Sequence, residues 1–141
     1  MSVGYQIVVD CHDPHRLAAF WAAAMDLEVE DHDAQVRHVL DQGHLPADSD
    51  AYVEHEGRLR WRAFAACSGD GGRTRLLFQV VDDPTEGKNR VHLDLRAGDD
   101  RRDAEVARLE QLGATRLWEG QQGPLRWVTM ADPEGNEFCV G

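Results

Sequence analysis

The sequence predicts an α+β domain made of two copies of one unit, a strand, a helix and then further strands. Three observations carry this. The chain has 141 residues, the size of one ordinary globular domain. A strand-like run followed by an amphipathic helical run occurs twice at matching spacing, for Gln6 stands seven residues before Asp13 and His92 seven before Asp99. Each copy then continues into β-rich stretches broken by turn residues, DGG at Asp70 to Gly72 and DPEGN at Asp132 to Asn136, the chemistry expected between hairpin strands.

The elements follow in order. Tyr5 to Cys11 alternates as a strand, Asp13 is an N-cap and Pro14 suits the first helical position. Leu17, Phe20, Trp21 and Ala24 then recur at helical spacing, an apolar stripe for packing on a sheet. Trp61 to Ala66 and Leu76 to Val81 read as the later strands of this half. In the second half Val91 to Arg96 is a strand, Asp99 or Asp100 a cap, and Val106, Leu109 and Leu112 a helix closed by Gly113. Arg126 to Met130 and Glu137 to Val140 complete it.

Alternation along the first strand of each half separates two faces. Ile7 and Val9, like Leu93 and Leu95, face the helix, whereas Gln6, Asp10, His92, Asp94 and Arg96 share the other side. That polar face is either washed by solvent, as on one-sided antiparallel sheets, or the lining of a concavity. His92 is the sharpest chemical group on it, since an imidazole titrates near neutral pH and can act as acid, base or hydrogen-bond donor.

Charge narrows the partners. Lys plus Arg is 15 against 26 for Asp plus Glu, a net charge of −11, which repels a phosphate backbone and excludes nucleic acid. Asp26 to Gly57 carries most of it, with ten acids against Arg37, read first as a solvated acidic surface that aids solubility and second as a device for attracting cationic ligands. Within this stretch Asp33 to Gln42 followed by Gly43 reads as a short helix, so a helical insert over about 31–57 is expected, with His38 and His44 either reaching a pocket or packing at a sheet edge. His12 and His15, flanking the first helix start, are expected to be solvated. No apolar run approaches the roughly 20 residues of a membrane span. The first ten residues have no basic and apolar signal pattern and the three cysteines cannot pair evenly, so a cytoplasmic location is expected.

The two halves, the segment KNRVHLDL at Lys88 to Leu95 and ADPEGNEFCVG at Ala131 to Gly141 resemble the glyoxalase-like branch of the vicinal oxygen chelate superfamily. The resemblance implies two βαβββ modules whose sheets curl into a cup around a small-molecule ligand, commonly in a homodimer. It divides a single domain over 1–141 into module one, about 1–85 including the insert, and module two, about 88–141. In metal-using relatives one ligand comes from the first and one from the last strand of each module, which maps here to Gln6, Gln79, His92 and Cys139. One imidazole, one thiol and two amides lack the carboxylates that hard divalent cations prefer. No metal ligand set and no cofactor are therefore expected, although Glu137 shares the Cys139 face and could substitute.

Two functional readings follow from the resemblance. In one the protein is an enzyme of lyase or isomerase type with an atypical or absent metal site, His92 being the catalytic acid/base and Gln6, Gln79, Asp94, Trp127, Glu137 and Cys139 contacting substrate. In the other it is a non-catalytic binder like bleomycin-resistance proteins, with Trp61, Trp118 and Trp127 gripping an apolar ligand.

Overall fold

The computed structural model describes residues 2–141. The chain forms two compact units, 1–82 and 83–141.

In the first unit, β1 (Ile7–Cys11) leads into α1 (Pro14–Met25). Asp13 caps α1 by accepting the Arg16 amide at 3.1 Å, and Pro14, which has no amide hydrogen to satisfy, starts the helix. Strand β2 (Glu28–Val29) follows, then α2 (Asp33–Asp41), the hairpin β3 (Tyr52–His55) and β4 (Arg58–Trp61), and finally β5 (Phe64–Gly69) and β6 (Thr74–Val80). The sheet order is β1-β6-β5-β2, with β1 parallel to β6. Helix α1 packs on β5 and β6, burying Leu17, Ala18, Trp21, Ala65, Cys67, Leu76 and Phe78. By area this is the dominant stabilising term, about 1.5–3 kcal/mol for each large side chain.

The segment expected to be a helical insert is a helix plus a hairpin. The helix runs over Asp33–Asp41 with Val36 fully buried. The hairpin turns at Glu56 and Gly57, both with positive φ (51° and 77°), the conformation of a tight two-residue turn whose twist suits antiparallel strands. A Glu at the first turn position is a poor local signal, which hid β3 and β4 from a reading by turn residues. Asp33 ties insert to hairpin, accepting the Leu59 amide at 2.7 Å and Arg37 at 3.0 Å. His15 is not solvated as expected: its Nε2 lies 2.7 Å from the Trp61 carbonyl, and burial pushes its pKa down.

The second unit repeats the plan with β7 (Asp94–Leu95), α3 (Arg102–Leu112), β8 (Thr115–Gln122), β9 (Leu125–Ala131) and β10 (Glu137–Val140) in the order β7-β10-β9-β8, and β7 parallel to β10. Each unit is thus a βαβββ module, and the fold is of the expected α+β class. Val106, Leu109, Val128, Met130, Phe138 and Val140 form the core beneath α3. Gly113, at φ 116°, ends α3 in the left-handed conformation that a side chain would strain. At the start of α3 the expected Asp99 or Asp100 cap is not made; Arg101 occupies the cap position and Asp99 pairs with Arg102 at 2.7 Å. The DPEGN turn is closed by Asp132, whose Oδ1 accepts the amides of Glu134 (2.9 Å) and Asn136 (3.0 Å).

Strand β7 is shorter than the expected Val91 to Arg96 run, and Leu93 and Leu95 are half-buried rather than core residues. The reason is its place at the sheet edge, where it has one neighbour only. No helix among the described residues is long and apolar enough to cross a membrane.

Candidate functional site

The second unit carries an open cavity of about 690 Å³, within the range of small-molecule sites. Strand alternation builds it. On β10, Phe138 and Val140 enter the core while Glu137 and Cys139 line the cavity. Cys139 pairs across β9 with Thr129 and across β7 with Asp94, so Asp94 and Thr129 fall on the same face, as do Trp127, His92 and Arg96.

At the polar end, His92 Nε2 lies 3.3 Å from Asp94 Oδ1, and one ligand atom from each of His92, Asp94 and Cys139 falls within 4.8 Å of the others. Thr129 Oγ1 is 3.7 Å from Cys139 Sγ, and Lys88 Nζ is 3.7 Å from Glu137 Oε2. His92 reaches this position through a bracket that sequence reading missed. The Asn89 side chain donates to the carbonyls of Val91 (2.7 Å) and Glu137 (3.0 Å) and accepts the Glu137 amide (2.7 Å). It thereby pins the segment before β7 to β10 where the ladder has not begun, and only the Asn in KNRVHLDL hinted at it.

The apolar wall comes from β8 and β9. A β-bulge between Arg116 and Trp118 shifts the register so that Trp118, rather than Leu117, stands opposite Thr129 and lines the cavity. Gly120 is directly opposite Trp127, and the indole lies where a Cβ on residue 120 would be. The missing side chain lets the ring lie flat against the strand.

The first unit has a separate cavity of about 510 Å³ lined by Glu30, His32, Gln35, Phe64, Arg75, Leu77 and Gln79. Arg75 donates to Glu30 at 2.7 and 2.9 Å and also to the Gln6 amide oxygen. That guanidinium holds the Glu30 carboxyl down at about 2. Phe64 stacks on Trp61 with ring centroids 6.2 Å apart, and Trp61 Nε1 donates to Gln35 at 2.7 Å. Trp61 lines neither cavity.

Of the residues singled out by sequence, His92, Asp94, Trp127, Glu137 and Cys139 come together in the second-unit cavity. Gln79 lines the first-unit cavity, and Gln6 sits outside its lining. Gln79 stands opposite Asp10 on β1, whereas Gln6 lies four residues earlier, about 13 Å along the strand. His38 and His44 are exposed and line neither cavity; His32 and Arg75 are the residues sequence reading passed over there.

The fold and the doubled strand order define a protein of the vicinal oxygen chelate class. The family model of the glyoxalase-like domain matches residues 6–141, and the chain belongs to that family. No curated protein matches it in sequence. Similar solved structures include a glyoxalase/bleomycin resistance protein/dioxygenase family enzyme from Burkholderia phytofirmans PsJN, 14% identical over 96% of this chain and 94% of that one, with a TM-score of 0.65. Another is a mutant of the fosfomycin resistance protein FosX from Listeria monocytogenes complexed with Mn(II) and 1S,2S-dihydroxypropylphosphonic acid, at 13%, 99%, 90% and 0.61 respectively. FosX from Mesorhizobium loti is a third, at 11%, 99%, 90% and 0.58. At these identities the likeness is one of fold.

The family's metal does not fit the four mapped positions as a set. The Gln6 oxygen is already engaged by a guanidinium, Gln79 is out of register with it, and Cys139 offers sulfur where a hard cation such as Mn(II) prefers oxygen. The described residues that could hold a cation are His92, Asp94 and Cys139, a nitrogen, oxygen and sulfur trio closer to zinc chemistry.

Proposed function

We propose that the protein is a small-molecule-handling enzyme of lyase or isomerase type whose proton-transfer group is His92. The observation that supports this most is the His92–Asp94 pair at 3.3 Å at the polar end of a cavity walled by Trp118 and Trp127. A neutral imidazole carries a ring-nitrogen lone pair that can take a proton from substrate. Asp94 then stabilises the imidazolium that forms. Cys139 and Thr129 supply hydrogen-bonding groups beside it, and Trp127 a flat surface for the substrate body. The test is exchange of carbon-bound hydrogen into deuterated water across a panel of small carbonyl acids: the wild type should catalyse exchange of at least one, and His92→Gln should not. Catalysis that survives His92→Gln sinks the assignment.

The aromatic wall favours a second reading, sequestration without turnover. It predicts that a bound ligand is recovered chemically unchanged after long incubation at stoichiometric protein. In either reading the two units act as modules of a single domain, and the protein is a cytoplasmic homodimer, since β7 and β8 are sheet edges and β8 leaves Leu117 40% and Trp118 52% exposed. Unpaired edges of this kind are commonly covered by a partner. Light scattering at micromolar concentration should give twice 15.8 kDa; a species of 15.8 kDa alone would refute the dimer.

A further inference from the structure

The charges lining the second-unit cavity do not cancel, although the chain as a whole carries −11. Glu137 is paired with Lys88 at 3.7 Å, and Asp94, 3.3 Å from the His92 imidazole, is the one other carboxylate of the lining. Arg96 and Arg126 also line the cavity, and neither is among the described ion pairs or side-chain hydrogen bonds. With His92 neutral, the lining sets Lys88, Arg96 and Arg126 against Asp94 and Glu137, a net positive cavity in a unit that is acidic as a whole. Arg96 follows His92 and Asp94 by strand alternation and lies one step beyond the Asp94 rung, on the same face. Against these charges stands an apolar wall that water wets poorly, Trp118 at 52% and Leu125 at 66% exposure, with Trp127 lying flat over Gly120.

We infer that the ligand of this cavity is an organic anion with a flat aromatic body, its ring on Trp118 and Trp127 and its anionic group, carboxylate or phosphate, at Arg96 and Arg126. A guanidinium offers paired donors that match either oxyanion, and an indole is the best flat surface for an aromatic ring. A cationic ligand would meet a lining of net positive charge, and a neutral one would leave the two arginines idle. The inference rests on the reading of this cavity as the ligand site and adds the class of molecule it takes.

The experiment is titration of the full chain with naphthoate, naphthyl phosphate and naphthamide, followed by calorimetry and by the NMR signals of the indole N–H groups. The two anions should move the Trp118 and Trp127 signals, leave that of buried Trp21 in place, and bind roughly tenfold or more tightly than the amide, as expected for charge-assisted hydrogen bonds. The preference should shrink as salt is raised. The double variant Arg96→Met with Arg126→Met should lose the anion preference and keep naphthamide binding, which also reports that the variant is folded. Equal affinity for naphthoate and naphthamide, or an anion affinity untouched by the double variant, overturns the inference and leaves the cavity as the ligand site. Failure of all three probes to move Trp118 and Trp127 overturns both. Preference between the two anions decides carboxylate or phosphate.

Discussion

Gly120→Ala tests how the cavity wall is made. A Cβ at residue 120 would stand 2.5 Å from Trp127 Nε1 and closer still to two ring carbons. Ordinary contact needs about 3.5 Å, so the indole must retreat by about 1 Å or tilt off the strand. Elsewhere in a strand, Gly to Ala gains roughly 0.5–1 kcal/mol from the restricted unfolded chain. Here overpacking costs about 1–3 kcal/mol, and the two together give a net loss of about 0–2.5 kcal/mol. Urea denaturation of four proteins, the wild type, Gly120→Ala, Trp127→Ala and the double variant, isolates the contact. In the Trp127→Ala background the same Gly120→Ala change should become neutral or stabilising, because nothing is left to collide with. The Trp127 indole N–H signal should shift in the single variant, and naphthoate should bind more weakly. A Gly120→Ala protein more stable than wild type in both backgrounds, with the Trp127 signal unmoved, would refute the packing argument.

Core and cavity residues of the second unit should part ways: Phe138→Ala, at 1% exposure, should cost about 3–5 kcal/mol of unfolding free energy, while His92→Ala should cost under about 1 kcal/mol and change ligand affinity instead. Comparable destabilisation by both would make His92 structural. The Glu30 carboxyl, held at about 2 instead of 4.5, is depressed in the folded state, so it stabilises fully above pH 4.5 and the contribution is lost as pH falls toward 2. With its side chain 23% exposed the contribution is about 1–2 kcal/mol after screening, and the stability gap between wild type and Glu30→Gln should close over that window; a gap constant with pH would contradict it. Because His92 and Asp94 are 43% and 68% exposed and no fourth described donor joins the trio, protein isolated without added metal should contain well under one equivalent of Zn, Ni, Fe or Mn. Elemental analysis showing stoichiometric metal that disappears in His92→Ala would overturn this.

Features decided by near neighbours in the chain are legible in the sequence by itself. The Asp13 cap with Pro14, the Gly113 stop, the DPEGN turn and the doubling of the unit each depend on a few consecutive residues. So does the sharing of a face by His92 and Asp94, and by Glu137 and Cys139, because side chains alternate along any strand. Length and contacts of the strands are less legible: β7 shrinks to two ladder residues at a sheet edge, and the insert holds a hairpin whose turn is made by Glu56 and Gly57. Other features require the partner strand to be in place. The bulge at Arg116 to Trp118 reverses which residues of β8 face the cavity, whereas plain alternation from Arg116 sends Trp118 into the core. The Asn89 bracket joins groups 48 residues apart, and Arg75 reaches across 69 residues to donate to the Gln6 amide oxygen. Local spacing determines the face on which a side chain stands; register and long-range hydrogen bonds, which are properties of the packed sheet alone, determine what stands beside it.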